Sequence, residues 1–288
     1  MYFEGGYNCL LIFIIILMRK ILSFCYRYIY MAIVRWFNVT AYNLSGVDKS
    51  NQILLKDLKD KYKGKRCFIV CNGPSLRTDD LTKIHDAGDI SIAMNMIGRI
   101  CKDTPWRPTF LNNTDACNFL RKNKKDSKNI ECTYRIMTPD RYLNSFFRKG
   151  KLMFIRLDGS RKYLDNPKFD SDITKPFPSI GTTTYECLEI AVYLGCSEIY
   201  IIGCDMSYKV NLNRDGSITY NEMGRDHFYA SEKEAAASTK LRPNPTWQLE
   251  IAYEAAAKAS LENGYNIKNA TRGGKLEFFP RVDFDSLF

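Results

Sequence analysis

The sequence predicts an α/β domain in which a mainly parallel sheet lies between two layers of helices. Short apolar runs rich in β-branched residues alternate with helix-like segments from residue 64 onward, which is typical of three-layer domains. Several runs are apolar at successive positions, as in parallel strands that are buried on both faces. The helix-like segments instead carry apolar residues at spacings of three and four. Together these patterns indicate a Rossmann-like domain.

The predicted elements follow one another in the order expected for such a sheet. Two segments, Thr183–Leu194 and Pro245–Asn263, are predicted as helices, and a further helix is expected to begin near Ser75. The runs predicted as strands are Arg66–Val70, Ile90–Met94, Thr109–Leu111, Tyr134–Met137, Leu152–Leu157, Glu198–Ile202 and Tyr265–Ile267.

The composition narrows the class of protein. The chain is 45% hydrophobic and 26% charged, which excludes a disordered or fibrous protein. A mean hydropathy of −0.30 excludes a polytopic membrane protein. The 42 Lys and Arg against 32 Asp and Glu give a formal net charge of +10, which indicates an anionic partner such as nucleic acid, lipid or a phosphorylated substrate. The basic stretch Arg121–Lys128 lacks interleaved aromatic residues, so no nucleic-acid partner is expected.

Ten cysteines lie singly among hydrophobic runs rather than in a disulfide pattern. The closest pair, Cys67 and Cys71, frames a predicted strand, where residues four apart are separated by roughly 13 Å. That distance is too long for a disulfide, and the spacing is not that of metal ligands. We therefore expect free thiols in a reducing cytosol.

The N-terminal segment is apolar and then basic. Residues 5–18 carry no charge, and Arg19 and Lys20 follow at once. The run is shorter than the roughly 20 residues that span a bilayer. A cleaved signal peptide is also not expected, because Glu4 precedes the run and no small-residue cleavage site follows it.

A basic, aromatic-rich helix is predicted to continue this segment. On a helix, three cations lie within about 80° of one another at 100° per residue; they are Lys20, Arg27 and Arg35. Apolar cover comes from Phe24, Tyr28, Met31, Ala32 and Val34. We expect residues 1–42 to associate with an anionic membrane surface, residues 43–63 to form a linker and lead-in, and residues 64–288 to form the domain. A helix packed on the protein's own core, or a short anchor within the bilayer, are the alternatives.

A tight turn follows the first predicted strand. Gly73 allows a ligand to approach the backbone, and Pro74 fixes φ near a helix start. The free N–H groups of that helix start, with the Asn72 amide and the Ser75 hydroxyl, are predicted to bind a phosphate. Neither the P-loop nor the GxGxxG spacing is present. A capped turn without a ligand is the alternative.

Asparagines follow the next two predicted strands. Asn95 comes after Ile90–Met94, and Asn112 and Asn113 come after Thr109–Leu111. The carboxyl ends of parallel strands are where open α/β sheets bind ligands, and amides can bind a base edge or a sugar hydroxyl. Ordinary turn asparagines are the alternative.

A third block combines a helix start with an acidic strand end. Gly181, Thr182, Thr183 and Thr184 open a predicted helix, whose hydroxyls and free N–H groups favour an anion. Asp205 follows the next strand, where it could bind ribose hydroxyls or a divalent metal. A loop cap is the alternative for Asp205.

These blocks resemble the bacterial CMP-sialic acid-dependent sialyltransferases of the Campylobacter type. They are also similar to a broader group named after the archaeal 6-hydroxymethylpterin diphosphokinase, the MptE-like group, many of whose bacterial members accompany surface-polysaccharide genes. The resemblance covers roughly residues 64–288, and the ending KNATRGGKLEFFPRVDFDSLF resembles that of the broader group. Its specific motifs are CNGPSL, the strand-end asparagines, and GTTTYECLEIAVYLGCSEIYIIGCDMSY.

The sialyltransferase resemblance implies a nucleotide-binding transferase domain that extends a bacterial surface glycan from a CMP-activated sugar without a metal. It implies that Asp205 contacts the donor and that Tyr208 and Tyr220 steady the leaving phosphate. The remaining residues implied in nucleotide or donor binding are Asn72, Gly73, Pro74, Ser75, Asn95, Asn112, Gly181, Thr182, Thr183 and Thr184.

The resemblance also implies a histidine as general base. His227 lies in the long loop after Asp205, and an imidazole titrates near neutral pH as a general base must. His85, on the helix after the first motif, is expected to be structural. In the resembling family the base lies nearer the final long helix, where this chain has Pro243 and Asn244. A solvated or capping histidine is the alternative for His227.

Two other functions fit the same motifs. One is an MptE-like diphosphokinase that transfers pyrophosphate from ATP, with Mg²⁺ held by Asp205 and Asp115. The other is a non-catalytic nucleotide-binding subunit of a polysaccharide assembly. The expected partners are a nucleotide-sugar donor, a glycan or lipid-linked acceptor, and an anionic membrane surface. The expected location is the cytoplasmic face of the inner membrane, peripherally or through a single N-terminal anchor.

Overall fold

Parallel strands form the centre of the molecule. The structure is a computed structural model that describes residues 26, 29–115, 129–146, 148–221, 226–228 and 243–288. The predicted apolar run at 5–18 and the basic stretch Arg121–Lys128 lie outside these residues. The strands of the described part are β1 (Arg66–Val70), β2 (Ile90–Met94), β3 (Phe110–Asn112), β4 (Tyr134–Met137), β5 (Lys151–Phe154), β6 (Leu157–Asp158), β7 (Phe177–Pro178), β8 (Glu198–Ile202), β9 (Val210–Leu212), β10 (Ile218–Tyr220) and β11 (Ile267–Asn269).

Helices surround these strands. Short 3₁₀ turns also occur, at Ile97–Arg99, Cys101–Asp103, Pro139–Asn144 and Phe284–Leu287. The α-helices of the described part are α1 (29–44), α2 (Val47–Leu58), α3 (Thr78–Asp86), α4 (Lys162–Asp165), α5 (Thr183–Tyr193) and α6 (Thr246–Asn263).

The main sheet has the strand order β11-β8-β1-β2-β3-β4-β5, and every neighbouring pair is parallel. The chain runs outward from β1 to β5 and then crosses to the other side of β1, where β8 and β11 follow. Phe68 on β1 therefore lies between Ser91 on β2 and Tyr200 on β8. The point where the strand order reverses, between β1 and β8, is where such sheets bind ligands. The predicted α/β class with a mainly parallel sheet is confirmed.

Alternate residues of each strand enter two separate cores. On β1, Cys67 and Ile69 belong to the core that contains residues of α2, α5 and α6. Phe68 and Val70 belong to the other core, with α3 and the C-terminal 3₁₀ turn. This alternation follows from the two-residue period of a strand, and it produces the predicted three layers.

Some predicted boundaries differ from the structure. The third helix begins at Thr78 rather than near Ser75, because Ser75 lies in a turn in which the Leu76 N–H donates to the Gly73 carbonyl (3.2 Å). The segment 43–63, predicted as a linker and lead-in, contains α2, whose leucines enter the main core. The strand predicted at Leu152–Leu157 is split into β5 and β6.

Helix α1 packs on the edge of the domain near β5. Tyr42 contacts the rings of Tyr142 and Phe154, and the Asn38 side chain accepts a hydrogen bond from the Leu143 N–H (2.8 Å). Among the described residues, no helix has both the length and the hydropathy that crossing a bilayer requires.

Candidate functional site

A cavity of about 190 Å³ opens at the carboxyl ends of the central strands, beside the reversal between β1 and β8. Loops after β1, β2, β3 and β8, the start of α5, and residues near α6 form its wall. The described lining residues are Cys71, Asn72, Gly73, Met94, Asn95, Asp115, Gly181, Thr182, Thr183, Thr184, Gly203, Cys204, Asp205, Met206, Ser207, Tyr208, Asp226, His227, Asn244, Leu249 and Tyr253.

The loops after β1 and β8 are locked together around Asp205. Its Oδ2 atom accepts hydrogen bonds from the Ser75 hydroxyl (2.8 Å) and the Ser75 N–H (3.3 Å). The Gly73 N–H donates to the Gly203 carbonyl (2.7 Å). A Cβ atom at Gly73 would lie 1.9 Å from Asp205 Oδ2, so only glycine allows this contact. Burial raises the pKa of Asp205 although the Ser75 hydrogen bonds lower it.

This arrangement changes the interpretation of the first motif. The Ser75 hydroxyl and N–H, predicted to bind a phosphate, donate to Asp205 instead. Neither Pro74 nor Ser75 is among the lining residues. Asn72 and Gly73 do line the cavity, but the close approach at Gly73 is made by a side chain of the protein.

Two amide oxygens at the cavity have no hydrogen-bond donor within the described part of the protein. Asn72 donates through Nδ2 to the Met94 carbonyl (3.1 Å), and the Asn95 N–H donates to the Asn112 carbonyl (3.0 Å). The Oδ1 atoms of Asn72 and Asn95 are buried and have no hydrogen-bond partner among the described residues. Leaving a buried acceptor unpaired costs about 1–3 kcal/mol. Asn95 also has a φ of +55°. The site therefore presents two acceptors that a ligand with N–H or O–H donors would satisfy.

Asn112, predicted to contact sugar or nucleotide, does not line the cavity. Its side chain is fully buried, donates to Glu186 Oε2 (3.3 Å) and accepts from the Thr114 N–H (3.0 Å). Glu186 also accepts from the hydroxyls of Thr114 and Ser179. Burial raises the pKa of Glu186. Asn112 thus belongs to a buried network behind the site. The sequence signal for Glu186 is a carboxylate among apolar residues of α5, and Glu189 shares that signal.

The start of α5, whose threonines are predicted to favour an anion, faces the cavity. Thr182 is the N-cap, and its hydroxyl accepts from the Thr184 N–H (3.3 Å). The Thr184 hydroxyl lies against the sulfur atoms of Cys71 (3.5 Å) and Met94 (3.6 Å). The positive end of the helix dipole therefore points at the cavity, while two of the three hydroxyls are engaged within the protein.

His227 is fixed at the cavity by the residues on either side of it. Asp226 Oδ1 accepts from the Lys209 N–H (2.9 Å), and the Phe228 N–H donates to the Asn72 carbonyl (2.9 Å). His227, Asp205 and Tyr208 all line the same cavity. Burial raises the pKa of Tyr208 well above its usual range, so Tyr208 keeps its proton at neutral pH.

Tyr220, predicted to steady a phosphate, lies elsewhere. It is 71% exposed and does not line the cavity. The strand that carries it, β10, pairs only with β9 among the described residues, and all three of its residues are exposed. The ribbon thus carries Tyr220 into solvent. His85, expected to be structural, is exposed on α3.

Two residues that line the cavity, Asn244 and Tyr253, were not predicted from the sequence as site residues. Asn244 joins the β9–β10 ribbon to the start of α6, because its N–H donates to the Val210 carbonyl (2.9 Å) and its carbonyl accepts from the Leu212 N–H (2.7 Å). The Tyr253 hydroxyl, on α6, lies 3.3 Å from Cys204 Sγ. Apolar residues that repeat every 3.6 positions predict the helix α6. The same repeat does not indicate which of its buried residues line a cavity.

The C-terminal segment, residues 270–288, packs against the backbone of the loop after β8. The Lys275 N–H donates to the Asp205 carbonyl (2.8 Å), and the Thr271 hydroxyl accepts from the Cys204 N–H (3.2 Å). Gly274 has a φ of +75°, and a Cβ atom there would lie 2.9 Å from Asp205 Cα. No pattern in the sequence related this segment to Asp205.

Among the described residues, the wall of the cavity carries acidic side chains and no basic ones. Asp115, Asp205 and Asp226 line it, and no Lys or Arg side chain of the described part does. Within the same residues, no group of three or more His, Cys, Asp or Glu side chains is placed to hold a metal ion. All seven described cysteines are free thiols, as expected.

Comparison with known families gives the relationship of the chain. Residues 41–211, well over half of the chain, match the sequence model of the family described as 6-hydroxymethylpterin diphosphokinase MptE-like. The chain belongs to the MptE-like family. The matched region of this MptE-like chain includes Asn72, Asn95, the start of α5 and Asp205, whereas His227, Asn244 and α6 follow it.

Other comparisons add little about this MptE-like chain. No curated protein matches it. One solved structure that aligns with this chain is "Structure of MAf glycosyltransferase from Magnetospirillum magneticum AMB-1". The two chains superpose with a TM-score of 0.45 and share 14% sequence identity. The alignment covers 84% of this chain and 39% of the other, so the chain spans about two-fifths of that structure.

Proposed function

We propose that this MptE-like chain is a glycosyltransferase that extends a bacterial surface glycan from a CMP-activated, sialic acid-like sugar. Membership of the family supports a transferase that handles a nucleotide. The observation that carries the proposal is the convergence of His227, Asp205 and Tyr208 on one cavity that also holds the start of α5 and two unpaired amide oxygens.

The electrostatics of the cavity favour a donor with a single phosphate. The described wall has three carboxylates and no basic side chain, so those carboxylates would repel a diphosphate or triphosphate more strongly than a single phosphate, and a bound cation would offset this repulsion. The phosphodiester of a CMP-sugar carries one negative charge, which the N–H groups at the start of α5 can accommodate. The carboxylate of a sialic acid-like sugar would have to lie away from the three aspartates. The oxygens of Asn72 and Asn95 would accept hydrogen bonds from an amine or hydroxyl of the nucleotide.

The proposed reaction is a single displacement at the anomeric carbon. His227 takes the proton of an acceptor hydroxyl while that oxygen attacks the anomeric carbon, and the bond from this carbon to the phosphate oxygen breaks. CMP leaves with the bonding electrons, and the configuration inverts. The protonated Tyr208 hydroxyl and the α5 N–H groups stabilise the negative charge that develops on the leaving phosphate. No step requires a metal.

The test is turnover of a CMP-sugar by the His227→Ala variant. Loss of a general base is expected to lower kcat by about 10²–10⁴-fold, with the melting temperature unchanged. His85→Ala is the matched control, since His85 is exposed on α3, and it should retain full activity. Equal turnover in wild type and His227→Ala would rule out His227 as the base.

A second function is favoured by the family description and by the acidic wall. A diphosphokinase would use Mg²⁺ held by Asp205 and Asp115, and Mg²⁺ commonly takes one or two carboxylates and completes its shell with phosphate oxygens and water. The two aspartates line the same cavity and fit this mode. EDTA separates the two proposals: it should abolish pyrophosphate transfer from ATP and leave CMP-sugar transfer intact. Binding of CMP or ATP without turnover would instead indicate a non-catalytic nucleotide-binding subunit.

The acceptor and the location belong to the same proposal. A glycan or lipid-linked acceptor, presented at the cytoplasmic face of the inner membrane, would suit a transferase of surface polysaccharide. The basic excess of the chain and the basic residues near its N-terminus support contact with an anionic lipid surface. No nucleic-acid partner is proposed.

A further inference from the structure

One face of α1 is apolar and uncovered by the described part of the protein. Six large side chains of α1, and that of Tyr26 shortly before it, are between 49% and 83% exposed. At 100° per residue they fall in a sector of about 120°. These residues, called the α1 stripe below, are Tyr26, Ile29, Tyr30, Ile33, Trp36, Phe37 and Leu44.

The opposite side of α1 holds it on the domain. Asn38 and Tyr42 are buried and contact the segment around Tyr142. Arg35 is the one charged residue in the sequence from 29 to 44, lies about 160° from the middle of the stripe, and pairs with Asp140 (3.7 Å). The orientation of α1 is therefore set by its polar side, and the stripe is presented outward.

We propose that the α1 stripe docks on a lipid bilayer, with α1 in the plane of the membrane and the stripe at the boundary between headgroups and acyl chains. A contiguous exposed apolar patch marks an interaction surface. Trp and Tyr are the residue types enriched where one end of a side chain is apolar and the other is wet. Trp36, Tyr26 and Tyr30 supply that chemistry beside the aliphatic Ile29 and Ile33.

The sequence before the stripe points to the same partner. Residues 5–18 are uncharged and are followed by Arg19 and Lys20, so the stripe continues a part of the chain whose composition suits lipid. At 1.5 Å per residue, α1 is about 24 Å long, and its apolar stripe on one side with polar residues on the other is the pattern of a helix that lies in the interface. Because the stripe itself has no charge, its share of binding should not depend on anionic lipid.

The side of α1 that contacts lipid differs from the one predicted from sequence. Met31 and Val34, predicted as apolar cover beside the basic residues, are half-buried against the protein, and Arg35 points away from the stripe. The proposed contact is driven by apolar and aromatic side chains, whereas basic residues add attraction to anionic headgroups.

Flotation of the full chain with lipid vesicles tests the proposal. Ile33→Glu/Trp36→Glu is expected to lower the partition coefficient at least about tenfold for neutral phosphatidylcholine vesicles, since it removes two apolar contacts with the lipid. The loss should be larger for vesicles that also contain phosphatidylglycerol, because the two added carboxylates are repelled by anionic headgroups. Leu261→Glu is the matched control, because Leu261 is 84% exposed on α6 and outside the stripe, and it should bind vesicles like wild type. CMP-sugar turnover on a soluble acceptor should be equal in all three proteins.

Fluorescence separates stripe contact from binding through residues 1–25 alone. Trp36 is the exposed tryptophan, since Trp106 is buried and Trp247 is half-buried. Vesicles should shift its emission to shorter wavelength, and brominated lipids should quench it; Trp36→Phe should bind equally well and lose both signals. Vesicle binding with no change in Trp36 emission would overturn the proposal. So would a dimer in lipid-free solution that Ile33→Glu/Trp36→Glu dissociates, because a second copy would then cover the stripe.

Discussion

At the residue scale, the geometry of the site depends on Gly73, which has no Cβ atom. Gly73 and Asp205 are close because no Cβ separates the turn after β1 from the carboxylate after β8. The same contact lets Ser75 donate twice to Asp205, which fixes the direction of the carboxylate. Asn72, next to Gly73, then accepts the Phe228 N–H that holds His227 in place. Gly73 thus helps to determine the positions of Asp205 and His227, two of the three residues that converge on the cavity.

Gly73→Ala should therefore damage stability and activity together. A Cβ atom 1.9 Å from Asp205 Oδ2 and 2.5 Å from the Gly203 carbonyl forces the two loops apart, at a cost of about 1–3 kcal/mol or more. Urea unfolding and donor binding measure the two effects. Gly159→Ala is the control, because nothing lies within 4 Å of its added Cβ atom. A Gly73→Ala protein as stable and active as Gly159→Ala would contradict the packing described.

At the element scale, α5 is buried on nearly every side, yet it carries two glutamates within that buried stretch. All residues from Thr184 to Ala191 are buried. Glu186 has hydroxyl and amide donors for both oxygens. Glu189 accepts only the Asp170 N–H (2.9 Å) among the described residues, and its Oε2 atom is unpaired there. The helix therefore contains one satisfied acid and one that is poorly solvated.

Glu189, the poorly solvated acid, should make the stability of the folded protein depend on pH. Burial, with the charges of Glu186 and Asp170, raises the pKa of Glu189 well above its usual range, and Lys168 and the Asp170 N–H lower it less. The folded state then holds a proton that the unfolded state releases near pH 4, so this group lowers stability as pH rises from that value through its folded pKa.

Glu189→Gln should remove that loss. The variant is expected to be more stable than wild type at pH 7 by about 1 kcal/mol, or about 2–4 °C in Tm, because the amide cannot ionise. The two curves should converge in acid, below the unfolded pKa. Thermal melts across the pH range check this, with the exposed Glu250→Gln as control. A Tm difference that is constant from acid to neutral pH would show that ionisation is not the cause.

At the scale of the whole molecule, the C-terminal segment ties one layer of helices to the site. Arg272 donates to both oxygens of the buried Asp80 on α3 (3.0 and 2.9 Å) and to both oxygens of Asp285 (2.7 Å each). Its neighbours Thr271 and Lys275 bond to the backbone at Cys204 and Asp205. The pairing lowers the pKa of Asp285, so it persists in mild acid.

Arg272→Ala should lower the free energy of unfolding by about 3 kcal/mol, since it leaves the Asp80 carboxylate buried without its cation. It should also weaken donor binding by loosening the segment behind Asp205. Lys258→Ala is the control, because the pair with Glu262 is exposed and is worth less than about 1 kcal/mol. Chemical denaturation measures the free energy of unfolding, and a CMP titration measures the affinity for the nucleotide. If Arg272→Ala and Lys258→Ala lowered both quantities equally, the role given to Arg272 would be refuted.

Sequence patterns predicted the sheet because buried parallel strands leave a local signature. The bounds of β1, β2, β4 and β8 are those predicted from their apolar runs. The cavity opens at the carboxyl edge of the sheet, which is where a ligand is expected from the strand-end residues. The roles of Ser75, Asn112 and Tyr220 were not predictable in the same way. Each depends on which group faces it across the fold, and a strand-end pattern does not say whether a polar side chain meets a ligand, a carboxylate or solvent.

The reversal of strand order has a consequence for synthesis of the chain. Ser75 and Asp205 are 130 positions apart, and one side of β1 has no neighbour until β8 has been made. At about 5–20 residues per second, that interval lasts roughly 10 s, during which an apolar strand edge is open to wrong partners. The nascent domain should depend on protection of β1 by the ribosome surface or a chaperone until β8 pairs with it.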